Sequence, residues 1–125
     1  MIEDIAAYLA DQLGLQIGQN LFIGFLPDGP TNATAIYEYQ GQAPSQEQGT
    51  GRIIEERLSL QFKFRGDDYQ EVSLRANQAL HALCSEDSGF EIHPMQSPFS
   101  LGWSSGICEF AFNARIRRNG RINKA

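Results

Sequence analysis

Two histidines, two cysteines and the adjacent acids Glu55-Glu56 and Asp67-Asp68 are the first side chains to consider for chemistry in this sequence. His81 falls in a predicted helix and His93 at a strand end before Pro94, and neither has a partner pattern for acid–base work or metal ligation. Such lone histidines fill structural positions more often than catalytic ones. Cys84 and Cys108 fit no metal or redox spacing. They read as two buried thiols behaving as small apolar residues, with no disulfide expected in a reducing cytoplasm. Glu55-Glu56 and Asp67-Asp68 are neighbours in sequence, so their side chains point apart and favour neither a shared-proton dyad nor a metal site. Helix capping and solvation account for them. Gly24, inside an apolar run, suggests a bulge or a close backbone approach rather than a ligand site. There is no nucleophile elbow, phosphate-binding glycine loop or HExxH pattern. No catalytic, cofactor-binding or metal residue is assigned, and the chain reads as a non-enzyme without cofactors.

The elements that would position these groups follow from periodicity. Ile2, Ile5, Ala6, Leu9 and Leu13 recur at helical spacing, with Glu3 and Asp4 at the positive end of the helix dipole and Gly14 as a C-cap. Asn20 to Leu26 reads as a buried strand, stopped by Pro27-Asp28-Gly29-Pro30. Ala33 to Tyr39 alternates as a second strand, antiparallel to the first if that turn is tight. Residues 40–51 have almost nothing to bury and predict a mobile polar loop. From Arg52 to Arg65, Leu58, Leu60, Phe62 and Phe64 alternate with polar residues, so one face is core and the other wet. Gly66-Asp67-Asp68 supplies a turn and an N-cap for a second helix running to about Ser85. A short strand, Phe90 to His93, comes next. Phe99, Leu101 and Trp103 alternate toward a hairpin turn at Ser104-Ser105-Gly106, and Cys108, Phe110, Phe112, Ala114 and Ile116 continue into a long final strand. The order α-β-β-β-α-β-β-β predicts a single α+β domain over residues 1–125, two helices packing a mostly antiparallel sheet.

Charge is segregated along the chain. Residues 1–51 hold six acids and no Lys or Arg, whereas residues 115–125 hold five basic side chains and no acid, within a net charge of −5. An acidic body repels nucleic acid over most of its surface, and only the basic C-terminal segment attracts phosphate or an acidic partner. Because an acidic body of the same chain is available, self-association is the favoured use of those charges. The candidate inter-subunit or partner interface is accordingly Gln42, Gln46 and Glu47 in the polar loop with Arg115, Arg117, Arg118 and Arg121 in the basic segment. No apolar run reaches the ~20 residues that span a bilayer, and the acidic start Met1-Ile2-Glu3-Asp4 is unlike a signal peptide. Folding in a cytoplasm without membrane contact is expected.

The stretch Asn20-Leu-Phe-Ile-Gly-Phe-Leu-Pro-Asp-Gly-Pro, with Ala35-Ile-Tyr-Glu-Tyr-Gln-Gly and Pro44 after it, resembles the bacteriophage minor capsid and tail-terminator family. The dense similarity covers residues 20–44, and the order of elements fits nearly the whole chain. The resemblance implies a virion protein of the tail and neck, assembled in the bacterial host cytoplasm. It implies a ring, usually a hexamer, that terminates the tail tube and joins the head-side connector, with genome DNA passing through the lumen. Its partners would be copies of itself, the tail tube protein and the connector or stopper protein. A head-completion or connector-stopper protein of the neck shares the size and acidity and is the first alternative. A small cytoplasmic ligand-binding α+β domain would need polar groups converging on a pocket, and none can be assembled. A nucleic-acid-binding module would need basic and aromatic residues on one face. Here Phe62 and Phe64 oppose Lys63 and Arg65.

Overall fold

Asp68 begins the longer of two helices: its carboxylate accepts from the backbone N–H groups of Gln70 and Glu71, at 3.1 and 3.3 Å. In the computed structural model, which describes residues 2–41, 45–46 and 53–118, that helix is α2 (Tyr69–Cys84) and the first is α1 (Ile2–Leu13). Gly14 leaves α1 with a φ of +68°, and Leu15 N–H returns to Ala10 O at 2.9 Å, a left-handed cap of the kind expected. The strands are β1 (Leu21–Ile23), β2 (Ala33–Gly41), β3 (Ser45–Gln46), β4 (Ile53–Gly66), β5 (Glu91–Pro94), β6 (Phe99–Ser104) and β7 (Ile107–Arg118). The fold is α+β, with two helices against a mostly antiparallel sheet in the predicted order, and the two-residue β3 is an addition to it.

The sheet runs β1-β2-β4-β7-β5, with β6 also paired to β7 and β3 to β4. Phe62 lies opposite Phe112 and Phe64 opposite Phe110, and their face of β4 and β7 is covered by the helices. Phe62 and Phe112 stack at 4.9 Å between ring centroids, and Phe64 stacks on Phe112 at 5.9 Å. Ile5 and Leu9 of α1 and Val72, Ala76, Ala79 and Leu83 of α2 close this core, all fully buried. Tyr8 OH donates to Ala82 O at 2.8 Å and ties the helices together. Small residues on α2 bring its backbone near the sheet. Gly66 is part of that fit: a Cβ there would lie 2.6 Å from Val72 Cγ2 and 2.5 Å from Asn32 Oδ1.

One sequence expectation is overturned: β1 and β2 are parallel, with Leu21 opposite Thr34 and Ile23 opposite Ile36. The strand predicted over Asn20 to Leu26 is cut to three residues because Gly24 turns with a φ of +85°. A Cβ at Gly24 would meet nothing within 4 Å, so a close approach does not account for it, and the β1–β2 pairing shows no register shift of the kind a bulge makes. The left-handed backbone accounts for it. Residues 24–32 therefore form a return loop rather than a hairpin turn, and the loop is held from outside. Arg65 of β4 donates from Nη2 to Pro27 O at 2.5 Å and also to Pro30 O. Arg75 of α2 donates to Ala33 O at 3.4 Å and to Arg65 O at 3.3 Å. Prolines offer only carbonyls, so a donor-rich guanidinium suits this loop.

The later strands follow the alternation. The β6–β7 hairpin turns on Ser105 and Gly106, with φ of 53° and 78°, the type I′ geometry that matches strand twist. The strand expected at Phe90 to His93 is Glu91–Pro94, one residue later. Of the expected polar loop 40–51, residues 40 and 41 finish β2 and Ser45–Gln46 pair with β4, while the rest lies outside the described residues.

Candidate functional site

Strand β7 alternates between two environments, broken only at Ala111, which is buried on the face away from the helices. Cys108, Phe110, Phe112, Ala114 and Ile116 are buried under the helices, and Glu109, Asn113, Arg115 and Arg117 project from the other face. At the C-terminal end of β7, Arg115 lies opposite Ser59 of β4 and His93 of β5, and Arg117 lies opposite Arg57 and Glu91. Gln46 of β3 pairs with Ile53 at the start of β4. The structure thus gathers parts of both predicted interface sets along the first half of β4. Arg118 closes β7 opposite Glu56, whereas Gln42, Glu47 and Arg121 lie outside the described residues.

Arg117 is engaged within its own chain. Its Nε donates to Glu91 Oε2 at 2.9 Å and its Nη2 to Oε1 at 2.6 Å, a forked pair that fixes β5 to β7. His93 Nε2 sits 3.1 Å from the same carboxylate. The Arg117 hydrogen bonds hold the Glu91 carboxyl below its ordinary pKa, and His93 adds to the effect. Because the folded pKa is lowered, this contribution is present above the unfolded value and lost as pH falls through the lowered one. Arg115, by contrast, is exposed and has no ion-pair partner among the described residues.

The opposite end of β7 carries a feature that sequence alternation did not disclose. Leu101 and Trp103 of β6 are 47% and 55% exposed, although their spacing resembles that of a core strand. Tyr69, at the start of α2 and 44% exposed, stacks on Trp103 at 6.2 Å and meets Phe110 edge-on at 4.9 Å. A shallow cleft of about 340 Å³ is lined by Leu101, Gly102, Trp103, Ser104, Ile107 and Glu109. Glu109 borders the cleft on the face of the sheet away from the helices, whereas Asp67 and Asp68 precede Tyr69 on the helix side. The clue in the sequence is that β6 has apolar residues on one edge of a sheet with no third helix to cover them.

The groups singled out for chemistry are dispersed. His81 is exposed on α2 beside a second shallow cleft with Gln12, Leu13, Gln78 and Ala82, and His93 is exposed on β5. Asp68 is the helix cap, and no group of three His, Cys, Asp or Glu side chains that could hold a metal occurs among the described residues. The expected pair of buried thiols is half right: Cys108 is buried, but Cys84 is exposed. Cys84 follows Leu83, which faces the core, and one step of a helix turns the side chain about 100° away. Desolvation raises the pKa of both thiols, so their difference in reactivity comes from access: only Cys84 reaches the surface. A colorimetric disulfide reagent is therefore expected to titrate one thiol quickly in the native protein and the second only on unfolding. Two equally fast thiols would contradict this placement of Cys108.

No helix among the described residues is long and apolar enough to cross a membrane. A family model described as bacteriophage tail terminator protein matches residues 8–119 of the chain. No curated protein matches it.

Proposed function

Because the chain belongs to the bacteriophage tail terminator family, a structural component of the virion tail, we propose that it forms a ring closing the tail tube. The ring, of six copies, joins the tube to the head-side connector, and genome DNA passes through its lumen. The observation that carries this reading is the family match over residues 8–119, which takes in every strand and both clefts. The charge pattern supports it. A net charge of −5 gives walls that repel phosphate and let DNA slide, while the basic segment from Arg115 onward serves contacts between proteins. The contact residues on this reading are Arg115, Arg118 and Arg121 with Gln42, Gln46 and Glu47, and Arg117 supports them by anchoring β5.

Light scattering of the purified protein, alone and with its tail tube, tests the ring. A species of about six times the 13.9 kDa chain is expected, with tubes capped at one end. A strict monomer in both preparations at high concentration would overturn the reading.

A further inference from the structure

We propose that the basic segment of one copy docks on an aromatic and acidic patch on the helix side of the next. Arg121, Ile122 and Lys124 make the contact from one side, and Trp103, Tyr69 and Asp67 receive it. This contact rests on the ring reading and names the surface that takes the segment. The receiving patch is one continuous surface. Gly66, Cys108 and Trp103 stand in one row across β4, β7 and β6, so the chain leaves the sheet for Asp67 two strand spacings, roughly 10 Å, from Trp103. Trp103 shares the helix side of the sheet with Cys108 and Phe110. Tyr69 of α2 stacks on its indole and meets Phe110 edge-on, and both Tyr69 and Trp103 stay exposed. Burial is the main cause of the raised Cys108 pKa, and the charges of Asp68 and Asp67 add to it, which sets both carboxylates near this row. Asp68 is spent on capping α2, whereas Asp67 is exposed and has no ion-pair partner among the described residues.

The segment matches this patch in chemistry and falls short of its own. Arg118 lies ten residues past Cys108 along β7, roughly 33 Å at strand rise. Lys124 is six residues further on, about 20 Å of fully extended chain, and Arg121 has half that reach. Even a chain folded straight back stops before its own Trp103, so the patch it meets belongs to a second copy. Two cations and a branched aliphatic side chain then face a carboxylate and two aromatic rings. A guanidinium lies well on an indole face and pairs with a carboxylate, and exposed apolar patches with a polar rim mark contact sites. Donor and receiver sit at opposite ends of β7, so the contact is head-to-tail. Repeated contacts of that kind close into a ring or run on as a filament.

Trp103 is the one tryptophan of the chain, so its fluorescence reports on this patch alone. The test is sedimentation of the full chain over a concentration series, alone and on tail tubes of the same phage, with acrylamide quenching of Trp103 in the tube-free samples. Quenching is expected to fall at least threefold on assembly of the wild type. Asp67→Lys, Trp103→Ser and the double variant Arg121→Glu with Lys124→Glu are each expected to weaken assembly at least tenfold while retaining the wild-type circular dichroism. An equimolar mixture of Asp67→Lys and the double variant is expected to assemble again, since alternating copies restore opposite charges at every junction. Three results overturn this contact and leave the ring reading standing: wild-type assemblies with Trp103 quenched as in the monomer, a double variant that assembles at wild-type strength, or a mixture no better than its components. A wild-type chain that stays monomeric throughout overturns the ring reading and this contact together.

Discussion

Replacing Phe62 by alanine is expected to lower the stability of the fold by about 3–5 kcal/mol, the range for an aromatic truncated in a packed core. Phe62 has no exposed surface and sits at the centre of β4, stacked on Phe112 and packed within the cluster that includes Leu60, Val72 and Ala76. Truncation removes the transfer free energy of the ring and leaves a cavity. The helices and sheet close poorly over it because Phe112 is already shared with Phe64. In thermal unfolding the midpoint should fall by more than about 10 °C. Phe62→Leu, which keeps most of the volume, should cost much less. A Phe62→Ala protein melting with the wild type would mean that β4 presents its other face to the helices. Such a result is incompatible with Phe62 lying fully buried in the core with Val72 and Ala76 of α2.

That core face was readable because period two leaves few choices. Leu58, Leu60, Phe62 and Phe64 alternate with polar residues, and a one-residue slip would expose all of them. The helices were equally legible from their apolar stripes, and Asp68 and Gly14 marked a start and an end by chemistry that acts over three or four residues. What was not legible depends on distant partners. Pro27-Asp28-Gly29-Pro30 has the composition of a tight turn, yet β1 and β2 run parallel because the loop is held by Arg65, 35 residues beyond Pro30. Alternation says which residues of β6 share a face but not whether anything covers that face. Trp103 and Leu101 are exposed because α2 reaches only as far as Tyr69. Of the interface, the arginines were visible as a run of charge. That Arg117 is occupied by Glu91, whereas Arg115 has no ion-pair partner among the described residues, depends on the pairing of β5 with β7, 26 residues apart in sequence.

Arg65→Met is expected to release the 24–32 loop and to cost about 2–4 kcal/mol, judged from hydrogen bonds made by a charged donor. The side chain is 9% exposed and its Nη2 reaches the carbonyls of both Pro27 and Pro30. Its buried Nε makes no hydrogen bond, so part of the desolvation cost of the guanidinium is not offset. Methionine removes that cost along with the charge, which limits the loss. It also leaves two partly buried acceptors without a donor, and that penalty is larger. The loop's other ties lie at its ends: the Gly24 N–H to Ile36 O bond of 2.8 Å and the Phe22–Phe25 ring contact at its start, and Arg75 at Asn32 and Ala33 at its close. Arg65→Lys should fall between the two, because an ammonium is a point charge and reaches one carbonyl more readily than both. Hydrogen exchange separates a loop effect from a general one: Gly24 should lose protection in Arg65→Met well before the amides of α2 do. Unchanged protection at Gly24, with an unchanged melting temperature, would show that the parallel pairing of β1 with β2 stands without the arginine. The family-like motif at residues 20–30 would then owe its shape to Gly24 and its two prolines alone.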